Sequence, residues 1–590
     1  MRMRRSTLRL YGPFLALALV QALFIVASPS KAPGRTALAA GPGPRGTGAT
    51  AHATGSAGGT TGGAANGTPG ATTPGAPGST PGAAAGGGGD GSGGGGGGGE
   101  VSNVGGGNLA AGDTSHCVGP YQFDMFITHG PPCQPVFAGD NGGATADGVT
   151  SDSIKIVFFE SQPNEQVNAI LGVKGLAVSS EDEDAADKAY IDFINSHYEL
   201  YGRKIELEKV IGDCPTTPPD YAKFEVAAQE VVKKHPFAVI WITSLYADVF
   251  DIWANAGIIS IGGSAFDNSY FNGRRPYRYD IAMDGSQSAD FISSYYCTKL
   301  AGKHPDHAGT VIKSDIGARN AVTRKLGVIS PEIPADTVTA QRVIDSVRQC
   351  AGPDAVVDHP FTYKSDINSA TTQTESTVAA LATNKVTTIV CMCDPIAPVF
   401  LTTGLSNQAY YPEHVLPGLG LLDYDLLGQL YDKQQWQHAF GPSQLPNFGS
   451  LDDTDQAQVW RAQGNSGHPC GNNGCGLEWA YISGTALMLQ QTGPNLNALS
   501  FEQGVLGNIP PFGGSGLSAL YQWGQDDYTG VSDEREVYWD PLATTPIDGS
   551  QGAYVAVGPN CDPHPAVESC AQRFTLGQWS PDISQIPVNP

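Results

Sequence analysis

The residues able to do chemistry in this chain of 590 residues are few and lie in recurring places. Five stretches, FFESQ (158–162), VIGDC (210–214), WITSLY (241–246), IGGSAF (261–266) and VCMCDP (390–395), each end an apolar run on small polar groups. Ser161, Ser244, Tyr246 and Ser264 offer hydroxyls, the backbone at Ala265 offers an amide, and Asp394 is a lone carboxylate. Such a set suits hydrogen bonding to a small polar ligand and is poor for catalysis. No G-x-S-x-G elbow, H-E-x-x-H helix or Walker loop occurs outside the glycine tracts, and the 12 His are scattered. SSEDEDAAD (179–187) lacks the spacing and central glycine of a calcium loop and reads as a helix start. No catalytic residue, metal or cofactor is therefore assigned, and the chain is not read as an enzyme.

Eleven Cys form the second chemical group. Cys117 with Cys133, Cys470 with Cys475, and Cys561 with Cys570 each close a short polar loop, and Cys297 with Cys350 closes a longer one. HPCGNNGC (468–475) has no fourth ligand for zinc beyond His468, Cys470 and Cys475, so a disulfide is the better reading. The odd total leaves at least one thiol among Cys214, Cys391 and Cys393 unpaired. C-x-C at a buried strand end is read as structural rather than as a redox pair.

The elements that must position these groups alternate. IKIVFF (154–159) is a β-branched run of the kind buried in a parallel sheet. Ala186, Ala189, Tyr190, Phe193, Ile194 and Tyr198 then recur at helical spacing. KIELEKV (204–210) predicts a strand, and Phe224, Ala227, Ala228, Val231 and Val232 a second helix. FAVIWI (237–242), a helix over 250–256 and IISIGG (258–263) complete the first series. A second series follows: a strand at 324–330, a helix over 337–350, a strand at 355–361, a helix over 376–382, and strands at 386–392 and 414–420. Parallel neighbours need crossover helices, so the pattern predicts two doubly wound α/β lobes, with ligand beyond the carboxyl ends of the strands.

A net charge of -24 without a Lys/Arg cluster in the folded part excludes a nucleic-acid partner. The one basic cluster, MRMRRSTLR, precedes the apolar run FLALALVQALFIVA (14–27), so residues 1–40 read as a signal peptide or signal anchor. Residues 41–115, rich in Gly, Ala, Thr and Pro, carry almost no large apolar side chain to offset the entropy of ordering and read as a disordered tether. Such a coil spans roughly 45 to 50 Å. The expected organisation is a two-lobed domain at 116–590, with lobe 1 at about 150–290, lobe 2 at about 291–540 and a C-terminal extension at 541–590. The product is expected to be exported and held at the cell surface, membrane-tethered or secreted.

GVTSDSIKIVFFES (148–161) with KAYIDFINSHYELYGRKIELEKVIGDC (188–214) resembles the opening of type I periplasmic, leucine-binding-protein-like receptors of ABC transporters. VTTIVCMCDPIAPVFLTTGLSNQAYYPEHVLPGL, YDKQQWQHAFG, TGPNLNALSFEQGV and DDYTGVSDEREVYWDP are similar to one bacterial branch of that family. The resemblance implies a Venus flytrap of two lobes, joined by three crossings, that closes on a small-molecule ligand such as an amino acid or amide. It further implies a partner, an ABC permease or membrane sensor. By the same resemblance Ser264 takes the hydroxyl position after the fourth strand, Ser244 and Tyr246 are candidates after the third, and Asp394 meets an ammonium from lobe 2. The chain departs from the pattern in three ways. Cys214 has no partner near Ser244, the amino-acid head pattern is incomplete, and there is no lipobox cysteine. An exported enzyme or a cell-surface adhesion module on the same fold is the alternative expectation.

Overall fold

Alternation of buried apolar runs with one-faced helices builds two sheets. The computed structural model describes residues 112–124, 130–242, 246–263, 265–446, 449–514, 518–558 and 572–589. Residues 1–40, read as a signal peptide or signal anchor, nearly all of the expected tether, Ser244, Ser264, Cys561 and Cys570 lie outside the described residues.

Lobe 1 runs β1 (Ser153–Gln162), α1 (Glu165–Gly172), α2 (Ser180–His197), β2 (Lys204–Pro215), α3 (Tyr221–Val232), β3 (Ala238–Ile240), α4 (Ala247–Asn255), β4 (Ile259–Ile261), α5 (Asn268–Asn272) and β5 (Arg278–Tyr279). Its sheet has the order β2-β1-β3-β4-β5, all parallel, with Ile154 opposite Ile205 and Val157 opposite Val239. β1 is covered on both sides, which is why its residues 156–159 are all buried and read as an unbroken apolar run. α2 starts where Ser179 accepts from Asp182 N, with Glu181, Asp182 and Glu183 in the favourable first turn.

Lobe 2 begins with α6 (Gly285–Tyr295), the ribbon β6 (Val311–Lys313) and β7 (Gly317–Ala318), then β8 (Leu326–Pro331), α7 (Pro334–Ala351) and β9 (Phe361–Tyr363). It continues with α8 (Ala370–Thr383), β10 (Thr388–Cys391), α9 (Ala397–Asn407), β11 (Glu413–Val415), α10 (Asp425–Gly428), α11 (Lys433–Trp436) and β12 (Ala439–Ser443). The strand expected at 355–361 is displaced. Only Val356 bridges to Leu326 before Pro360, which has no N–H to give to a ladder, and pairing resumes at Phe361.

The chain then returns. α12 (Asp455–Ala462), α13 (Gly476–Thr492) and α14 (Ala498–Asn508) pack on lobe 1, where Trp479, Ile482 and Phe501 join the core of Phe159, Tyr190 and Trp253. A continuous lobe 2 over 291–540 is thus corrected, because this stretch buries its apolar faces in the first lobe. β13 (Asp533–Thr544), β14 (Gln551–Ala556) and β15 (Arg573–Thr575) bring the chain back to the second sheet. That sheet has the order β14-β13-β12-β11-β10-β8-β9, with β15 also paired to β13. β8 to β12 are parallel, and β13 to β15 add antiparallel edges. The C-terminal extension belongs to this lobe, since Phe574, Trp579 and Ile586 enter its core.

The lobes therefore join through three crossings. At two of them the backbones are bonded, Asp280 N to Tyr528 O at 3.0 Å and Val531 N to Ile281 O at 3.2 Å. Near the third, Gln444 Oε1 accepts from Met283 N at 3.4 Å. The structure joins Cys117 to Cys133, Cys297 to Cys350, Cys470 to Cys475 and Cys391 to Cys393, and leaves Cys214 free and buried. Among the described residues no helix is long and apolar enough to cross a membrane.

Candidate solute site

In the parallel part of lobe 2 the first strand, β8, lies between the second, β9, and the third, β10, the same order that β1, β2 and β3 take in lobe 1. Crossover connections leave β8 and β10 in opposite directions, and the crevice at their carboxyl ends is where open α/β sheets hold ligands. A cavity of about 320 Å³ occupies that place. Ile329 of β8 and Cys391 of β10, paired in register, form its floor. Both face α8 and α9, whereas Val328 and Val390 point to the opposite side of the sheet against α7.

The walls are mostly carbon. Phe400 and Leu401 come from α9, Ile396 from the turn before it, Ile367 from the loop after β9, and the Cys391–Cys393 disulfide from the end of β10. Lobe 1 supplies the cover. Val167 and Leu171 of α1 line the cavity, and Thr217 Oγ1 accepts from Ile367 N at 3.1 Å. Gln166 Nε2 bonds Asn368 Oδ1 at 3.2 Å alongside. α1 has no buried residue of its own, yet Leu176, just beyond it, packs into the core of lobe 2. The segment after β1 is thus a strap from one lobe to the other.

Asp394 sits at the polar end. Its Oδ1 accepts from Ile396 N at 2.9 Å and Ala397 N at 3.0 Å, capping the turn into α9. Its Oδ2 accepts from the Tyr363 hydroxyl at 2.6 Å. Burial and the Asp394 charge hold the Tyr363 phenol far above its ordinary range, so it stays a donor. Asp336, in the first turn of α7, is a neighbouring carboxyl, pushed up to about 7 by burial and by Asp394.

Of the ligand-binding candidates expected from sequence, Asp394 alone among the described ones lines this cavity, beside Cys391 and Cys393. Ser161 Oγ is buried without a hydrogen-bond partner at the end of β1. The Tyr246 hydroxyl lies 2.8 Å from Glu225 Oε1 and 2.7 Å from Asp248 Oδ2, which share its one proton, and its ring lies 4.7 Å from that of Tyr221. Ala265 O accepts from Thr339 Oγ1 at 3.1 Å, a bond across the seam between lobes. Tyr363, Asp336 and Phe400 were not singled out. Tyr363 was hidden by the displaced strand, and Asp336 and Phe400 by their place inside apparently ordinary helices.

No family model and no curated protein matches the sequence. Solved structures do match. A fatty acid ABC transporter substrate-binding protein from Thermomonospora curvata aligns with a TM-score of 0.51 at 15% identity, over 76% of this chain and 99% of its own. The chain has the type I periplasmic binding protein fold. The isoleucine complex of a branched-chain amino acid transporter substrate-binding protein from Streptococcus pneumoniae aligns at 0.45 with 15% identity, over 69% of this chain and 100% of its own. A solute-binding protein from Rhodopseudomonas palustris, complexed with 3,4-dihydroxy benzoic acid, aligns at 0.46 with 12% identity, over 72% and 98%. In this fold the strap, the three crossings and the cavity at the second sheet's strand ends fall where two lobes meet.

Proposed function

We propose that the chain is an exported solute-binding protein that captures a small molecule between its lobes for an ABC-type importer or a membrane sensor. The observation that carries this reading is the cavity of about 320 Å³ at the strand ends of lobe 2, closed by Thr217 and α1 of lobe 1. Its volume and largely apolar wall are those of a small-molecule site. An adhesion module would fill this crevice with side chains. A molecule touching both Phe400 in one lobe and Leu171 in the other binds the closed form better than the open one, and only that difference can shift the equilibrium toward closure. The basic, apolar N-terminus and the glycine-rich tract support export and tethering near a membrane partner.

The test is a thermal-shift screen of the full chain against amines, carboxylates, amino acids and sugars, repeated with Thr377→Trp, which places an indole in the cavity. A solute at a hundred times its dissociation constant should add about 2.7 kcal/mol to the parent's stability. The same solute should do nothing for the variant. A solute that stabilises both equally would move the site elsewhere.

A further inference from the structure

Four hydroxyls on the helices that wall the cavity are spent on the carbonyl one turn back. On α8 Ser376 donates to Thr372 O at 3.2 Å and Thr383 to Ala379 O at 2.9 Å, and on α9 Thr402 donates to Pro398 O at 2.6 Å and Thr403 to Val399 O at 2.8 Å. Thr374 and Thr377 are not spent in this way. Both stand with Ala370 and Gln373 on the face of α8 that lines the cavity, and neither side chain makes a hydrogen bond among the described residues. The Thr374 methyl is seated against Gly404 of α9, where a Cβ would collide with it, so the hydroxyl is carried on the other branch. Thr216 of lobe 1 and Ser365 of the loop after β9 line the cavity with unused hydroxyls as well. Thr217, which accepts from Ile367 N, still has a proton to give.

The charged groups of the lining are compensated or lie at the rim. Asp394 accepts from two backbone N–H groups and the Tyr363 phenol, and Asp366 accepts from Asn368 N at 3.1 Å and Ser369 Oγ at 2.6 Å. Lys364 is exposed. What remains unspent is a set of neutral hydroxyls drawn from both lobes. A hydroxyl can replace the water lost by an ether, alcohol or carbonyl oxygen. A carboxylate or an ammonium taken out of water among Phe400, Leu401 and Ile329 needs more, an opposite charge that is not already compensated.

We propose that the solute is an uncharged molecule with an apolar skeleton and two or more acceptor oxygens, read by the hydroxyls of Thr374 and Thr377 from lobe 2 and of Thr216 from lobe 1. The proposal rests on the solute-capture reading. The skeleton lies among Ile329, Phe400, Leu401 and Leu171, and the oxygens face α8 and the Thr216–Thr217 turn. The hydrogen bonds that select the solute then also draw the lobes together.

The experiment is calorimetric titration of the full chain with methyl hexanoate, hexanoate, hexylammonium and toluene, for the parent, Thr374→Val, Thr377→Val, their double variant and Thr383→Val. The neutral ester should bind tighter than either ion. Each cavity Thr→Val should weaken it about fivefold, the net worth of one neutral hydrogen bond, and the double variant roughly twentyfold. Toluene, which has no acceptor oxygen, should bind all the variants at least as well as the parent. Thr383→Val, whose hydroxyl is bonded to Ala379 O outside the lining, should change nothing. Valine keeps the shape of threonine, and no protein hydrogen bond is lost at 374 or 377, so the thermal midpoints should stay at or above that of the parent and show that the variants fold. Tighter binding of hexanoate or hexylammonium, or an ester affinity that the double variant leaves unmoved, overturns the neutral-oxygen assignment and leaves solute capture standing. If the wider screen alone yields a solute, a charged one, or a neutral one that the double variant does not weaken, overturns the assignment equally. No binding by any of them, with Thr377→Trp silent throughout the wider screen, removes the capture reading itself.

Discussion

Tyr363 donates to Asp394 Oδ2 at 2.6 Å and so ties the end of β9 to the end of β10, on either side of β8. This bond fixes the only carboxylate of the cavity wall that was visible as a candidate in the sequence. Tyr363→Phe keeps the ring and removes the donor. The Asp394 carboxylate retains its two N–H partners, but Asp394 N also loses the hydroxyl as its acceptor, so the stability loss should be about 1 to 2 kcal/mol, the net worth of one to two hydrogen bonds. Solute affinity should fall as well, because the freed oxygen can turn away from the cavity. Denaturant melts together with titration of a stabilising solute check this. Unchanged affinity would mean that Asp394 is only a cap.

Arg324 and Glu413 form a bidentate pair in lobe 2, Nε to Oε2 at 2.7 Å and Nη2 to Oε1 at 2.8 Å, with both side chains nearly inaccessible. Burial alone would raise the Glu413 carboxyl, but Arg324 and the Thr388 hydroxyl more than reverse that, and it lies below the usual range. Glu413→Gln strands the Arg324 charge in the interior. The expected cost is about 3 to 5 kcal/mol, read as a large drop in the denaturation midpoint. A loss below 1 kcal/mol would show that water reaches the guanidinium.

How much of this was legible can be argued from particular residues. The alternation of IKIVFF, the stripe Ala186 to Ile194 and KIELEKV announced a doubly wound lobe, because burial on both sheet faces and on one helix face leaves those periods in the sequence. The return of α13 to lobe 1 left no such mark. Ten of its 17 residues are buried, so it shows no one-sided stripe, and apolar content does not say which lobe covers it. The site was harder still. Asp394 ends an apolar strand and stands out, whereas Asp336 gains its character from burial and from Asp394, which lies beyond β10. Long-range neighbours do not show in local spacing.

Cys214 ends β2 fully buried, and burial raises its thiol above the ordinary range, which keeps it protonated. Alkylation needs the thiolate and access. Native protein treated with iodoacetamide at neutral pH should therefore stay unlabelled at Cys214, and denatured, non-reduced protein should be labelled there. Peptide mapping by mass spectrometry distinguishes the two states. The same map should show Cys391 and Cys393 unlabelled in both, as a disulfide pair.

The pH dependence of stability follows from a second acidic group. Lys209 Nζ lies 3.1 Å from Glu160, 3.2 Å from Glu183 and from Asp184, and 3.6 Å from Asp187, and Glu478 adds a fifth carboxyl nearby. One lysine cannot neutralise five carboxylates. Asp187 and Glu478, each with a buried oxygen lacking a hydrogen bond, are pushed up to about 7, chiefly by burial. The folded state thus holds protons that the unfolded chain has released, and the stability they contribute is lost as pH rises toward and through about 7. His414 and His438 act oppositely. Burial lowers both to about 4, so they cost stability as pH falls below about 6.5, where the unfolded imidazoles charge. Between about pH 6.5 and 8 the carboxyls alone remain, and the thermal midpoint should decline across that interval. Glu478→Gln removes one of them and should flatten the decline. A midpoint that rises over the same interval would mean that water or an ion already satisfies these carboxylates in solution.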